Sequence, residues 1–289
     1  MTISSEAPAS FRSSAVRPGP IGLIAEGIRE VASRRRLIGH LVRADVRKKG
    51  ANTILGNVWW VVDPLLQMAV YVVLITVVFQ RAPFPDYALF IFAAILPWKW
   101  FQSSISDAIT SVTGADRLIK QIQFPKLVLP LASVVAGVVS FAFGLVALGL
   151  LMALLYPDRI SPMVALIPAV AVVQVAFTLA LAIALSSINV FYRDIGNLAR
   201  HAFRLWFYLS PGLYSIDQLR EAGDRYGPVA DILLLNPFAT LFTAYRSLIY
   251  DGRPPDWAAL GALLAVSIGL VALATLLFKR VEPSFAKVL

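Results

Sequence analysis

Residues 127–157 read LVLPLASVVAGVVSFAFGLVALGLLMALLYP and contain no charged side chain. A helix of about 20 apolar residues is long enough to cross the hydrocarbon core of a bilayer. Lipid offers no hydrogen-bonding partners to the backbone, and a helix pairs its backbone N–H and C=O groups within a single segment. The segment therefore predicts a transmembrane helix, and the rest of the chain is expected to suit a membrane.

The composition of the chain agrees with that environment. Of its 289 residues, 58% are hydrophobic and 15% are charged, whereas a soluble domain carries roughly 25% charged residues. The formal net charge is +9, but long apolar runs separate the basic clusters, which argues against nucleic-acid binding. The absence of cysteine excludes disulfides and zinc–cysteine sites, and two histidines are too few for a histidine-based metal site.

The predicted fold class is an all-α integral membrane protein with six transmembrane helices, which fill residues 58–289. The fifth helix must extend back past Arg200 and Arg204, whose side chains would reach the membrane surface. Between the last two spans, a short apolar run is broken by Asn236-Pro237, which predicts re-entrant half-helices. The predicted spans are residues 58–79, 87–110, 127–156, 163–190, 197–216 and 258–278.

The amino-terminal region has two predicted parts. Residues 1–30 are rich in Ser, Ala and Pro and lack the apolar core of a signal peptide, which predicts a disordered cytoplasmic tail. Residues 31–57 predict an amphipathic interfacial helix, with a helix packed on its own protein as the alternative. Its apolar positions are Leu37, Ile38, Leu41, Val42 and Val46, and its basic positions are Arg36, His40, Arg43 and Arg47.

The distribution of Lys and Arg predicts the orientation. If the amino terminus is inside, the inside segments carry 19 of these residues and the outside segments carry 6. Basic residues concentrate in cytoplasmic loops, so we expect both termini in the cytoplasm. The two halves show no repeat, which argues against an inverted-repeat secondary transporter.

Six segments are informative together: RADVRKKGANTILGNVWWVVDPLLQMAVY (43–71), FAAILPWKWF (92–101), DRLIKQIQFPKLVLPLA (116–132), NVFYRDIGNL (189–198), FYLSPGLYSID (207–217) and LLLNPFATLFTAYRSLIYDGRPP (233–255). In their order and spacing, these segments resemble the permease subunits of type-2 ABC exporters. The resemblance covers about residues 36–285 and points to the branch that moves O-antigen, capsule, teichoic acid or galactan. Asp63 and Lys99 depart from the family pattern, which has uncharged residues there more often.

The resemblance implies a transporter subunit of the bacterial inner membrane that exports a lipid-linked polysaccharide. It also implies two copies of a partner ATPase, a second copy of this chain, and contact with membrane lipids. No Gly-x-x-x-x-Gly-Lys-Ser/Thr run occurs in the chain, so we expect it not to hydrolyse ATP. ATP and Mg²⁺ would bind the partner, and no cofactor is expected in this chain.

The link between the second and third spans is the predicted coupling segment. It is short and basic, and in the family such a helix seats in a groove of the ATPase. The alternative is an ordinary basic loop. The predicted coupling residues are Arg117, Lys120, Gln121, Phe124 and Pro125, with Arg43 and Arg47 from the amphipathic helix.

Two groups of residues inside the spans are candidates for the translocation pathway. Aromatic rings can stack on sugars, although each ring could equally pack against lipid. Charged residues inside a span default to functional hypotheses, with an interfacial position or a structural ion pair as the alternative. The predicted pathway residues are Trp98, Lys99, Trp100, Phe101, Trp206, Phe207, Tyr208 and Tyr214, and the further intramembrane charges are Asp63 and Asp107, the latter eight residues from Lys99 on the same helical face.

Other function classes stay open at this stage. An exporter of the same type could carry a drug or a lipid. A membrane-embedded glycosyl- or acyltransferase would need clustered catalytic carboxylates or histidines, but the acidic residues of the outer side are scattered. A secondary carrier would need a coupling-ion site deep in the bundle, and the sequence shows no sign of one.

Overall fold

The structure, a computed structural model, describes residues 19–51, 53–80, 84–122, 124–218, 220, 233 and 235–289. The regular elements within these residues are all helical, which confirms the predicted all-α class. The α-helices are α1 (Pro20–Ser33), α2 (Arg35–Gly50), α3 (Trp59–Val72), α4 (Tyr87–Ser111), α5 (Asp116–Gln121), α6 (Val128–Leu155), α7 (Ile167–Phe191), α8 (Ile195–Leu209), α9 (Pro237–Ile249) and α10 (Trp257–Val288).

Within the described residues, five helical segments are long and apolar enough to cross a membrane. They are α4, α6 and α10, together with α3 and α7 extended by the short helical turns beside them. In α3 the added turns are Gly56–Val58 and a π-helical stretch, Val73–Val78, and in α7 the added turn is Pro162–Leu166. The predicted count of six spans remains a prediction, because it depends on α8.

Helix α8 is shorter than the predicted fifth span, which covered residues 197–216. Its 15 residues extend about 22 Å at 1.5 Å per residue, against about 30 Å of hydrocarbon. The helix ends at Leu209 because Ser210, which precedes Pro211, adopts an extended conformation with ψ 150°. A residue before proline is driven out of the helical region by the proline ring.

The predicted re-entrant region, residues 217–257, contains α9. This helix begins at Pro237, and the side chain of Asn236 accepts a hydrogen bond from the backbone N–H of Phe238. Asparagine at the cap and proline in the first turn are a favourable helix start. The other predicted half-helix falls largely on residues outside the described ranges.

The prediction of a disordered tail over residues 1–30 is wrong for residues 20–30, which belong to α1. The helix is held by α10: Glu26 and Glu30 pair with Lys279, and Gly27 lies where a Cβ would be 2.9 Å from Thr275. Tertiary contact therefore supplies the order that the local composition did not predict. The remainder of the predicted tail, residues 1–18, lies outside the described part of the chain.

The predicted amphipathic segment, residues 31–57, is divided by a break in the helix at Arg34. Its main part is α2, which packs along α6. Leu37, Ile38 and Leu41 of α2 pack against a buried cluster that includes Val128 and Phe278. Part of the apolar side of α2 therefore packs on the protein itself, which is the alternative to an interfacial helix.

Helix α4 is the centre of the bundle. It packs against α3, α6, α7, α8 and α9, and most of its side chains are fully buried. By contrast, α3 is peripheral, with Pro64 its one fully buried residue. Helices α7 and α10 lie along each other. We call the end of the bundle that carries α1, α2 and α5 the basic end, and the end that carries Asp86, Arg159 and Tyr250 the opposite end.

Candidate functional site

One face of α4 is polar along the second half of the helix. Lys99, Ser103, Ser106, Asp107 and Thr110 are spaced three or four residues apart, so they share one side of the helix. All five are exposed or half-buried, although α4 as a whole is the most buried helix of the bundle. We call this row the polar stripe. Polar and charged side chains in a span rarely face lipid, so the stripe is expected to face water or another chain.

Lys99 begins the polar stripe and pairs with Asp63 of α3. The Lys99 Nζ lies 2.8 Å from Asp63 Oδ2, and the two side chains are 30% and 59% exposed. Trp59 and Trp60 lie beside them in a cleft of about 290 Å³. The structural ion pair that the sequence left as an alternative is therefore present, and it remains accessible from outside the chain.

Asp107 pairs with a different helix. Its Oδ2 lies 2.5 Å from Lys49 Nζ at the end of α2, and the same Nζ lies 3.5 Å from Ser103 Oγ. Lys99 and Asp107 thus share a face of α4, as their spacing predicts, but they do not pair with each other. Burial raises the pKa of the nearby Asp45 carboxyl, and the Asp107 charge raises that pKa further.

Helix α8 has three distinct faces. The first is buried and carries Ala199, Phe203 and Phe207. The second is basic and exposed and carries Arg200 and Arg204, one helical turn apart. The third is apolar and exposed and carries Leu198, Leu205 and Leu209. A helix with this division contacts the bundle, a polar space and an apolar neighbour at once.

The basic face of α8 meets the polar stripe at a cleft of about 540 Å³, which we call the basic cleft. Arg200 Nη2 donates a hydrogen bond to Asn197 Oδ1 at 2.6 Å. Asn189 Nδ2 donates to the Ile109 carbonyl at 2.9 Å and so fixes one wall. The cleft is lined by Ser106, Ile109, Thr110, Thr113, Gly114, Asp116, Asn189, Arg193, Gly196, Asn197, Arg200 and Leu289.

The sequence reasoning did not place the basic cleft residues at a site. Arg193 belongs to the quoted NVFYRDIGNL segment, and Arg200 was interpreted only as a residue that reaches the membrane surface. The available signal was the spacing of Arg193, Asn197, Arg200 and Arg204 at helical intervals. That spacing puts them on one face, but only the fold shows that the face meets α4.

Four of the predicted pathway aromatics are core residues instead. Trp98, Trp100, Phe101 and Phe207 are each at most 3% exposed, so their rings offer no surface to a sugar in this structure. Their ring contacts include Phe238, whose centroid lies 4.7 Å from that of Trp98 and 4.6 Å from that of Phe101. Large rings gain most from burial, and even Trp100, which borders the polar stripe, is only 2% exposed.

The other three predicted aromatics retain accessible surface. Tyr208 is 50% exposed, and its hydroxyl lies 3.3 Å from the Tyr71 hydroxyl on α3. Trp206 is half-buried and donates from Nε1 to Asn236 Oδ1 at 2.9 Å. Tyr214 is also half-buried, and its hydroxyl donates to the Leu209 carbonyl at 3.3 Å. Of the predicted aromatics, Tyr208 is the one that lies most openly beside α3.

A buried arginine that the sequence reasoning did not single out organises the turn after α8. Arg246 of α9 donates to the carbonyls of Pro211, Gly212, Tyr214 and Phe90 at 2.6, 2.5, 3.0 and 3.3 Å. Its guanidinium also lies 3.7 Å from the centroid of the Phe90 ring. A buried charge is tolerated when such partners replace water. The sequence signal that could have identified Arg246 is its position as a lone charge inside an apolar run.

The predicted coupling segment contains α5 and the residues after it. Arg117, Lys120 and Gln121 are exposed, as are Arg43 and Arg47 of α2. Phe124 and Pro125 are half-buried, and Phe124 packs against the cluster that includes Phe278 and Phe285. Phe124 is therefore not a free apolar anchor, because its ring is already used within the chain. The apolar side chain that protrudes is Ile122, which is 55% exposed.

The coupling segment is also joined to α10. The backbone N–H of Lys126 donates to Glu282 Oε1 at 2.9 Å, and Glu282 Oε2 lies 3.1 Å from Lys279 Nζ. Lys279 Nζ further contacts Glu26 at 3.2 Å and Glu30 at 2.9 Å. One ion-pair network therefore connects the coupling segment, α1 and α10 at the basic end.

Three characterised proteins are similar to the chain over most of its length. It is 34% identical to the O-antigen export system permease protein RfbA of Myxococcus xanthus over 260 residues, or 90% of this chain and 98% of that protein. It is 27% identical to two O-antigen export system permease proteins RfbA of Klebsiella pneumoniae over 252 residues, or 86% of this chain and 93% of each relative. No family model matches the chain.

The similarity extends over nearly the full length of both chains and agrees with an apolar helical bundle of several membrane-spanning helices. It confirms the resemblance on which the quoted segments were interpreted. The chain belongs to the family of O-antigen export permeases, the transmembrane subunits of ABC transporters that export polysaccharide.

Proposed function

We propose that the chain moves a lipid-linked polysaccharide of the O-antigen type across the bacterial cytoplasmic membrane, driven by ATP hydrolysis on a separate subunit. The observation that carries the proposal is the polar stripe, which runs along the second half of α4, the most buried of the five candidate membrane spans. Hydroxyl and charged groups in a row can exchange hydrogen bonds with successive sugars without holding any one of them tightly. Membership of the permease family supports the same function.

The proposal includes a second copy of the chain. The polar stripe and the Asp63–Lys99 pair lie on the outside of one protomer, where lipid would leave them poorly solvated. Packing two copies with these surfaces facing each other would enclose a polar passage. The exposed apolar face of α8 would then contact lipid.

The proposal also places the basic end in the cytoplasm, with two ATPase subunits docked there. The excess of 19 Lys and Arg over 6 favours this orientation. Arg117, Lys120 and Gln121 are exposed on α5, and Ile122 supplies an apolar contact. ATP and Mg²⁺ would bind the ATPase, consistent with the lack of a phosphate-binding loop in this sequence.

Deleting the gene in its native host tests the proposed function. We expect the surface polysaccharide to disappear and its lipid-linked precursor to accumulate inside the cell, and expect the wild-type gene to reverse both effects. Unchanged surface polysaccharide after deletion would contradict the proposal.

Variants of the polar stripe locate the passage in the same strain. The double substitution Ser106→Leu and Thr110→Leu should reduce export strongly at equal membrane levels, because it replaces two hydroxyls with apolar bulk. Ser284→Leu is the control, since Ser284 is exposed on α10 and away from the stripe. Equal export by the two variants would show that the stripe does not line the passage.

Docking of the ATPase is tested by copurification. Ile122→Ser should weaken copurification of the ATPase, because it removes the exposed apolar side chain of the coupling segment. Leu154→Ser, an exposed apolar position on α6, is the control.

Robust ATP hydrolysis by the purified chain alone would overturn the assignment of ATP hydrolysis to a partner.

A further inference from the structure

The basic cleft between α4 and α8 combines cations with neutral hydrogen-bonding groups. Arg193 and Arg200 line it, and neither forms an ion pair with another described residue. Asp116 also lines the cleft, but its Oδ1 accepts a hydrogen bond from the Arg117 backbone N–H at 2.7 Å. With Asp116 ionised, the side chains that line the cleft carry two positive charges against one negative charge.

The geometry of the cleft suits a phosphate group. The hydrogen bond from Arg200 to Asn197 uses one guanidinium nitrogen and leaves the others free to donate. Arginine binds phosphate through two parallel N–H donors, which gives both affinity and orientation. Gly196, in the first turn of the 15-residue helix α8, also lines the cleft, so the positive end of that helix dipole adds to the field there.

The apolar face of α8 indicates that the phosphate belongs to a lipid. Leu198, Leu205 and Leu209 are 63%, 65% and 53% exposed and lie on the same helix as Arg200, whereas Arg193 lies in the turn before α8. A soluble phosphate would use the arginines alone. A lipid phosphate would use the arginines with its headgroup and the leucines with its hydrocarbon chain.

The lipid phosphate could belong to a lipid that carries a glycan or to a bilayer phospholipid, and the polar stripe favours the first. Ser106 and Thr110 belong to the stripe and also line the cleft. A sugar attached to a phosphate held by Arg193 and Arg200 would therefore lie at the start of the stripe. A bilayer phospholipid carries no glycan that could use this continuity.

We propose that Arg193 and Arg200 bind the phosphate or diphosphate that joins the lipid anchor to the glycan. The inference rests on the proposed function and names the part of the substrate that this cleft recognises. It assigns Arg193 and Arg200 to anchor binding and the stripe residues beyond them to the sugars that follow.

The test measures saturation binding of radiolabelled farnesyl diphosphate to the full chain in phosphatidylcholine nanodiscs. We expect R193Q/R200Q to weaken binding by roughly tenfold or more, because charge-assisted hydrogen bonds are lost. R35Q/R36Q removes the same charge from exposed positions at the start of α2 and should bind as the wild type does. R193K/R200K keeps the charge without the planar fork and should lie between them.

Competition separates the possible sources of the phosphate. Phosphatidylglycerol at the same mole fraction, and inorganic diphosphate at the same concentration, should each displace the probe only weakly. Full displacement by either would overturn the proposal, since the cleft would then be a general headgroup surface or a soluble-anion site. If folded R193Q/R200Q binds the probe as tightly as the wild type does, the proposal is overturned as well.

The export assay separates failure of this site from failure of the proposed function. If the wild-type gene restores surface polysaccharide but R193Q/R200Q binds the probe normally, only the anchor site is wrong. If the wild-type gene restores nothing, the proposed function is wrong whatever the binding result. R193Q/R200Q should export poorly at a membrane level equal to that of R35Q/R36Q.

Discussion

The two ends of the bundle hold their most buried cations in different ways. At the basic end, Lys279 is 8% exposed and pairs with carboxylates of α1 and α10, while the more exposed pair Lys49–Asp107 joins α2 to α4. Near the opposite end, the partly exposed Arg159 and Asp86 also form an ion pair, but the buried Arg246 binds four backbone carbonyls. Ion pairs near water can exchange partners and are screened by salt, whereas buried hydrogen bonds to backbone hold one geometry.

This difference indicates which end of the bundle can move at low energetic cost. The opposite end contains the turn after α8 and the start of α9, both held by Arg246. The basic end carries the coupling segment, where a push from a partner would act on separable ion pairs. We therefore expect the basic end to rearrange during transport while the turn around Arg246 keeps its shape.

Arg246→Met should have the largest effect on stability. It leaves four carbonyls without their donor and removes the cation over the Phe90 ring. Leaving a buried hydrogen-bond acceptor without its donor typically costs about 1–3 kcal/mol for each group, and high salt should not change the loss. Thermal unfolding of the purified chain in detergent measures it, with the exposed Arg253→Met as control. A loss no larger than that of the control would contradict the fixed role of the turn.

Lys279→Met should have the next largest effect, and a local one. It leaves Glu26, Glu30 and Glu282 without their shared cation. Hydrogen exchange should show faster exchange in α1, by roughly thirtyfold for about 2 kcal/mol of local destabilisation, with α9 unchanged. The exposed Lys287→Met is the matched control. Uniform acceleration across α1 and α9 would mean that the basic end does not open separately.

Asp107→Asn should have a smaller effect that depends on salt. It breaks the pair with Lys49, whose two side chains are 25% and 38% exposed. Such pairs typically contribute about 0.2–1 kcal/mol and are screened at about 1 M salt. The difference in thermal unfolding from the wild type should therefore shrink at high salt. A difference that persists unchanged would place this pair with the rigid part of the molecule.

Asp45→Asn should have the smallest effect and the opposite sign. Burial, together with the Asp107 charge, raises the pKa of the Asp45 carboxyl, so its charged form is disfavoured in the folded chain. The stability that protonated Asp45 contributes is fully present below its ordinary pKa and is lost as pH rises through the raised value. The substitution should thus slightly stabilise the chain at neutral pH and not at acidic pH. Melting curves of the two proteins across that range test the sign.

Much of this architecture follows from local sequence. Charge-free runs long enough to cross a membrane predict helices wherever they occur, because lipid leaves no other partner for their backbone groups. The segment around residues 127–157 therefore predicts α6 from its letters alone, and Asn236-Pro237 predicts the start of α9 through local capping. Short segments in the correct order were also enough to indicate the resemblance to polysaccharide export permeases, which the similarity over nearly the full length confirms.

The partners of each side chain were decided by tertiary structure. Spacing placed Lys99 and Asp107 on one face of α4, but packing gave them Asp63 and Lys49 as partners. Spacing also cannot tell a ring that stacks on a sugar from one that fills the core, and Trp98 fills the core. Helix periodicity specifies faces, whereas burial depends on which other helix covers each face. That information lies in contacts between residues far apart in the chain, and it alone brought Arg193 and Arg200 to the polar stripe of α4.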